Sequence, residues 1–241
     1  MTKQTNYSVI GTRPVRHDGL DKVTGRAIYG ADVRIPEQIW GEVVRSPHAH
    51  AVIESIDASE ALALPGVIAF ITGAELAKTT AVKESQVIRW QADNIMATDT
   101  VRYRGHAVAA IAAIDRNTAI EAVKLVRVEY KSLPPVLSVK QAISNKATLI
   151  HPNAEFDHLG VSTPQTNIAS HIKLTIGNTI AGFEQASLII ERTAQMGMVH
   201  QGYIEPHNAT VFWDQDNRVS VWSSTQGMFS IRDQLAELFP A

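Results

Sequence analysis

The side chains best suited to chemistry lie in the last third of this 241-residue chain. His200, Glu205 and His207 bring two imidazoles and a carboxylate close together in sequence, and these are groups that bind zinc. Their spacing matches no known zinc site, and His207 follows a proline, so we expect no metal site here. We interpret the histidines either as buried, hydrogen-bonded residues or as a wall of a substrate funnel. Glu205 is expected to anchor a turn.

A carboxamide and a second pair of histidines also need an interpretation. Gln226 lies in Ser223-Ser224-Thr225-Gln226-Gly227, and from its type alone it is a polar residue that ends a hairpin. His48 and His50 alternate on one face of an extended segment, where two metal ligands could lie side by side. We expect this pair to be domain-packing residues, so residue types alone assign neither a metal nor a catalytic group.

Composition excludes several classes of protein. The chain has a net charge of -2 and no cysteine. Disulfides, a thiol nucleophile and iron–sulfur ligation within the chain are therefore excluded, and no basic footprint suggests nucleic acid or membrane. The N-terminus lacks the apolar core of a signal peptide, and no apolar run approaches the roughly 20 residues of a membrane span. We expect a soluble, cytoplasmic protein.

The first part of the chain reads as a dense alternation of strands and short helices. β-branched runs predict strands over residues 41–46, 51–56, 67–72, 107–114 and 127–130. The strand over 67–72 is almost continuously apolar, so we expect it to be buried on both faces, and we expect 107–114 to be another buried strand. A helix over 59–64 ends at Pro65-Gly66. Asp115 and Thr118 can each cap the helix that follows, and Thr118 to Glu121 has the spacing of a capping box.

The second part is separated from the first by a weakly patterned stretch over residues 144–166, which we interpret as a linker. After it the pattern predicts a helix over 179–186, a long strand over 188–196 and a hairpin of 209–213 with 218–224. Trp213 and Trp222 are expected to face each other across this hairpin. Ser230 to Asp233 resembles a capping box that opens a last helix.

Motifs in a fixed order carry a family resemblance over nearly the whole chain. They include Tyr29-Gly30-Ala31-Asp32, Arg45-Ser46-Pro47-His48-Ala49-His50-Ala51, Leu64-Pro65-Gly66-Val67, the segment from His200 to Ala209, and Ser223 to Gly227. Together they resemble the molybdopterin-binding large subunit of the xanthine dehydrogenase and aldehyde oxidase family, the molybdenum hydroxylases. The resemblance implies an α+β fold. Residues 1–143 would form an α/β hammerhead domain, 144–170 a linker, and 171–241 the incomplete start of a molybdopterin-binding domain.

The resemblance also implies a function. The chain would be part of the catalytic subunit of a hydroxylase that oxidises a C–H bond of an aldehyde, purine or N-heterocycle, with water as the oxygen source. Gln226 and Gly227 would contact a molybdenum–pterin cofactor, and partner subunits would carry iron–sulfur clusters and FAD. The general base is expected beyond Ala241, so no catalytic residue is assigned in the chain, which would be inactive alone. The alternative is a non-catalytic scaffold that has kept the fold without the cofactor.

Overall fold

The computed structural model describes residues 8–78, 86–153 and 155–239. Helices and strands alternate along the chain, which agrees with the predicted α+β class. The strands are β1 (Trp40–Arg45), β2 (Ala51–Asp57), β3 (Val67–Thr72), β4 (Thr100–Val101), β5 (Ala107–Ala113), β6 (Arg127–Ser132), β7 (Glu155–His158), β8 (Val161–Pro164), β9 (Ser170–His171), β10 (Ala209–Trp213) and β11 (Val219–Ser223).

The helices are short, and a 3-10 helix spans Gly30–Asp32. The α-helices are α1 (Gly19–Val23), α2 (Ser59–Ala63), α3 (Gly73–Leu76), α4 (Gln86–Ile95), α5 (Arg116–Leu125), α6 (Val139–Ala142), α7 (Thr179–Gln185) and α8 (Met228–Leu238). Within the described ranges, none of them is both long and apolar enough to cross a lipid bilayer. The chain forms two compact units. One comprises Met1–Glu37 with His200–Met228, and the other comprises Gln38–Val199 with Phe229–Ala241.

The larger unit is built on two antiparallel three-stranded sheets, in the orders β1-β5-β3 and β4-β2-β6. β5 is the central strand of the first sheet and carries mostly alanine, so α5 can pack closely on it. Ile111 on β5 is 1% exposed and packs with Ala61 of α2 and Ala122 of α5. The expected burial of β5 is therefore confirmed.

The same expectation for β3 is wrong. Ile68 and Ile71 are 52% and 43% exposed, because β3 is an edge strand of its sheet. The capping box predicted at Thr118 is also wrong, since α5 begins two residues earlier, at Arg116. Asp115 is the N-cap, and its carboxylate accepts a hydrogen bond of 2.9 Å from the backbone N–H of Thr118.

The stretch interpreted as a linker contains regular structure. β7 and β8 form an antiparallel pair, and β9 joins β7 in parallel, so the three make a small separate sheet. Weak hydrophobic patterning concealed these strands because most of their described side chains are exposed.

The predicted hairpin of β10 and β11 is confirmed, but its register separates the two tryptophans. Trp222 lies opposite Thr210, and Trp213 lies opposite Val219. The turn sets this register, since the backbone N–H of Asp214 bonds the carbonyl of Arg218 at 3.0 Å. The expected cross-strand pair of Trp213 and Trp222 is therefore wrong.

Two predictions near the C-terminus also need correction. Residues 188–196 form no strand, because these residues have no hydrogen-bonded partner strand in the described part of the chain. The last helix, α8, begins at Met228 rather than Ser230, and Asp233 pairs with its neighbour Arg232 at 2.6 Å. Leu238 of α8 is 3% exposed and packs with Ala92 of α4, which docks the helix within the larger unit.

Candidate functional site

Gln226 lies in the short turn between β11 and the start of α8, two residues before Met228. Its side chain is exposed and makes no hydrogen bond to any residue that the structure describes. The next residue, Gly227, donates its backbone N–H to the hydroxyl of Thr225 at 3.1 Å. The carboxamide therefore projects from a turn that is itself hydrogen-bonded, with its donor and acceptor both available to a ligand.

A group of side-chain bonds fixes the start of this turn. Ser224 Oγ accepts the backbone N–H of Asn208 at 3.1 Å and donates to the carbonyl of Pro206 at 3.2 Å. Asn208 Nδ2 donates to the same carbonyl at 2.8 Å, and the backbone N–H of Ser224 donates to the carbonyl of Asn208 at 3.3 Å. We call Pro206, Asn208 and Ser224 the hairpin clamp. It ties the segment before β10 to the turn that carries Gln226.

The clamp also contacts the N-terminal part of its unit. The side-chain oxygen of Asn208 is buried without a hydrogen-bond partner among the described residues, and it lies against Gly30 of the 3-10 helix. Asn208 and Gly30 belong to two separate sequence motifs, and neither motif by itself indicates a structural role for its residue. Their contact joins residues that are far apart in sequence, so no local pattern could have revealed it.

His200, Tyr203 and His207 form a line of aromatic rings on the surface of the same unit. The ring centroids of His200 and Tyr203 are 4.8 Å apart, and those of Tyr203 and His207 are 4.7 Å apart. His200 Nδ1 accepts the backbone N–H of Gly202 at 3.0 Å. All three rings are exposed, so the expectation of buried histidines is wrong. Their place in the wall of a substrate funnel stays a prediction.

The structure gives Glu205 no anchoring role. Its carboxylate is exposed and has no partner in the described part of the chain, and the clamp residues on either side make the anchoring bonds instead. The described residues contain no group of three or more His, Cys, Asp or Glu side chains placed to hold a metal ion.

The other two histidines pack inside the larger unit. His50 is 5% exposed, and its Nδ1 lies 2.9 Å from the carbonyl of Pro134. The ring of His48 lies 4.9 Å from that of Tyr130, measured between centroids. These contacts agree with a packing role. Both are made within the larger unit, so the expected role in packing between domains stays a prediction.

The donor set at the turn fits a polar, oxidised metal–pterin group. A neutral carboxamide can donate to a metal-bound or pterin oxygen and accept from a ring N–H without adding charge or competing as an anionic ligand. The residues present therefore fit the cofactor that the resemblance implies.

Comparison with known families matches both parts of the chain. Residues 24–134 match the hammerhead domain of aldehyde oxidase and xanthine dehydrogenase. Residues 161–240, which include the clamp and Gln226, match the molybdopterin cofactor-binding domain. The predicted domain limits at residues 143 and 170 stay a prediction.

Individual relatives agree with these matches. A probable hypoxanthine oxidase XdhD of Escherichia coli is 31% identical over 98% of this chain, which spans 28% of that relative's length. The large molybdopterin subunit of nicotinate dehydrogenase from Eubacterium barkeri is 28% identical over 96% of this chain, which spans 51% of it. The chain therefore spans only part of each of these two relatives.

Solved structures show the same fold. Reconstituted carbon monoxide dehydrogenase from Oligotropha carboxidovorans has a TM-score of 0.79 and 26% identity, and the match covers 95% of this chain and 29% of that one. Quinoline 2-oxidoreductase from Pseudomonas putida has a TM-score of 0.75 and 25% identity, over 95% of this chain and 28% of that one. The chain belongs to the xanthine dehydrogenase and aldehyde oxidase family of molybdenum hydroxylases, and it corresponds to part of the molybdopterin-binding large subunit.

Proposed function

We propose that this chain supplies the hammerhead domain and one edge of the molybdenum–pterin site in a cytoplasmic hydroxylase. The observation that carries the proposal is the exposed, unbonded carboxamide of Gln226, held beyond the hairpin clamp within the residues that match the cofactor-binding domain. Gln226 and Gly227 are the residues of this chain that would contact the cofactor.

The cofactor, when bound, supplies the oxidation of a substrate C–H bond with water as the oxygen source. The protein's contribution is orientation. The side-chain N–H₂ of Gln226 would donate a hydrogen bond to a polar oxygen of the cofactor, and Gly227 would let the backbone approach closely. The hairpin clamp holds the turn in place, so the amide need not be ordered at each binding event.

The substrate class is an aldehyde, a purine or an N-heterocycle. Relatives named for hypoxanthine, nicotinate and quinoline chemistry support the heterocycle and purine classes. Carbon monoxide dehydrogenase matches at a comparable identity, so overall identity does not separate these branches of the family.

The chain works only in a larger assembly under this proposal. It spans 28% of the Escherichia coli relative, and we assign the general base to a segment outside its 241 residues. The chain has no cysteine and offers no thiolate for an iron–sulfur cluster, and we propose that partner subunits carry the iron–sulfur clusters and FAD. We expect the isolated chain to be inactive.

The test is to purify the tagged chain together with the products of its neighbouring genes. Molybdenum is then measured by elemental analysis, and the pterin by the fluorescence of its oxidised form. The proposal predicts both in the purified complex. A complex that assembles and contains neither would contradict it and would support the scaffold alternative.

A further inference from the structure

A buried cluster of polar side chains in the larger unit has no part in the proposed function. Asp93, in the last turn of α4, is its centre. One carboxylate oxygen forms an ion pair with Arg102, and the other accepts the backbone N–H of Thr98 at 3.1 Å. The side chains of Arg102 and Asp93 are only 13% and 16% exposed, so this pair is much less screened by solvent than a surface pair.

Arg102 extends the cluster to the segment that follows α6. Its Nε donates to the carbonyl of Ile150 at 3.0 Å. The backbone N–H of Ile150 donates in turn to Asn167 Oδ1 at 2.9 Å. Both backbone groups of Ile150 are therefore bonded by side chains from elsewhere in the chain, and neither bond belongs to a sheet or a helix.

Asn167 closes the same segment from its other end. Its Nδ2 donates to the carbonyls of Thr148 at 2.9 Å and Ala142 at 3.3 Å. The small hairpin of β7 and β8 lies between these attachment points in the chain. The described residues between 142 and 167 therefore form a lobe whose two ends are tied together by Asn167, and Arg102 bonds this lobe to the rest of the larger unit.

His106 connects Arg102 to α4. Its Nε2 donates to the carbonyl of Asp93 at 2.9 Å, and its Nδ1 accepts the backbone N–H of Arg102 at 3.3 Å. Only a neutral ring with its proton on Nε2 can make both bonds. A second proton on Nδ1 would face the N–H of Arg102 and would add a positive charge beside its guanidinium.

The other groups around His106 act on its charged form in both directions. The ring of Tyr103 stacks on it, with centroids 4.4 Å apart, and Asp93 is the neighbouring carboxylate. His151 follows the bonded Ile150 and lies near Trp90 of α4, with ring centroids 6.1 Å apart. Burial lowers the pKa of both His106 and His151, and the charge of Arg102 lowers them further, whereas Asp93 acts in the opposite direction.

We propose that Asp93, Arg102 and His106 form a latch, which holds the lobe of residues 142–167 on the larger unit while His106 is neutral and releases it on protonation. The lobe overlaps the first residues of the match to the cofactor-binding domain, which begins at residue 161. The latch therefore holds the segment in which that match begins. Because the pKa of His106 is lowered in the folded chain, the latch is fully stable above the ordinary histidine value of about 6.5. Its stability is lost as the pH falls through the folded-state pKa.

Hydrogen–deuterium exchange on the 241-residue chain tests the latch. Exchange is measured at about pH 7.5 and about pH 5.5 and corrected for the intrinsic rates, with peptides of β5 as the internal reference. We expect the protection of the Ile150 amide, which bonds Asn167 Oδ1, to fall by roughly 10-fold or more at the lower pH, while β5 stays protected. Equal corrected protection of the lobe at both pH values would overturn the proposal.

Three variants show which residue is responsible for the pH dependence of the exchange. His106→Gln keeps a donor and an acceptor without a titratable ring, so the lobe should show the same protection at both pH values. His151→Gln should keep the wild-type response, and loss of the response in this variant would overturn the assignment to His106. Arg102→Ala removes the bond to the carbonyl of Ile150 and should free the lobe at both pH values without touching the histidine. Unchanged protection in that variant would show that the latch does not hold the lobe, even if His106→Gln fails to fold.

Discussion

The side-chain oxygen of Asn208 occupies the space that a β-carbon on Gly30 would need. The two residues belong to motifs at opposite ends of the chain, Tyr29-Gly30-Ala31-Asp32 and the segment from His200 to Ala209. Their contact shows that both motifs belong to one structural unit. Gly30 is required because the hairpin clamp approaches its backbone, and Asn208 is required because it makes the clamp.

We expect Gly30→Ala to displace Asn208 and to destabilise the clamp by about 1–3 kcal/mol, the usual cost of forcing an extra methyl group into a packed site. Urea unfolding followed by tryptophan fluorescence measures the change. Gly19→Ala is the matched control, because a β-carbon there meets Arg16 at an ordinary 3.5 Å. Equal stability of the two variants would contradict the close contact.

Ser224→Ala tests the clamp from its other side. The change leaves the N–H of Asn208 without its acceptor and the carbonyl of Pro206 with one donor fewer, at a cost of about 0.5–1.5 kcal/mol, the usual net contribution of a hydrogen bond at a partly exposed site. Amide exchange over residues 206–210 and 224–227 should therefore become faster. Ser220→Ala on the exposed part of β11 is the control, and a similar acceleration there would show that the clamp has no special role.

Limited proteolysis tests the need for a larger assembly. Large apolar side chains are exposed along the segment before the hairpin, with Ile172, Leu174 and Met196 all more than four-fifths exposed. We expect residues 180–241 of the isolated chain to be cut before residues 10–140. If the two regions resist protease equally, the C-terminal third does not need a partner to be stable.

The buried sheet of the larger unit should dominate its stability. Ile111→Ala removes a side chain that is 1% exposed, and a loss of about 2–5 kcal/mol is expected for such a cavity. Ile68→Ala, at a position that is 52% exposed on the edge strand β3, should cost less than about 1 kcal/mol. Chemical denaturation of the two variants compares them directly, and similar losses would place the core elsewhere.

Local sequence signals predicted the elements that local physics determines. The alanine-rich strand β5, the hairpin of β10 and β11 and the helix after Asp115 were all predicted from the sequence, because periodicity and capping act over a few residues. Exposed Gln226 was identified only through the resemblance, since its type and position alone indicate a hairpin end.

The errors come from interactions that are distant in sequence. Trp213 and Trp222 are separated by the hairpin register, which the turn determines rather than the strand residues. The apolar run over residues 188–196 has strand propensity but no partner strand among the described residues. Other contacts join residues that only the folded chain brings together, so no local pattern predicts them. These are the contact of Asn208 with Gly30 and the bonds of Arg102 and Asn167 to Ile150.

The most direct test of the central claim is Gln226→Ala in the complex purified with its partner subunits, with molybdenum, pterin and turnover all measured. We expect the cofactor to remain and turnover to fall by about 10- to 100-fold, the range for residues that orient a metal centre without ligating it. Glu205→Gln, an exposed residue without a partner in the described chain, should leave turnover unchanged. Unchanged turnover in Gln226→Ala, at full molybdenum content, would contradict the claim that this carboxamide serves the molybdenum–pterin site.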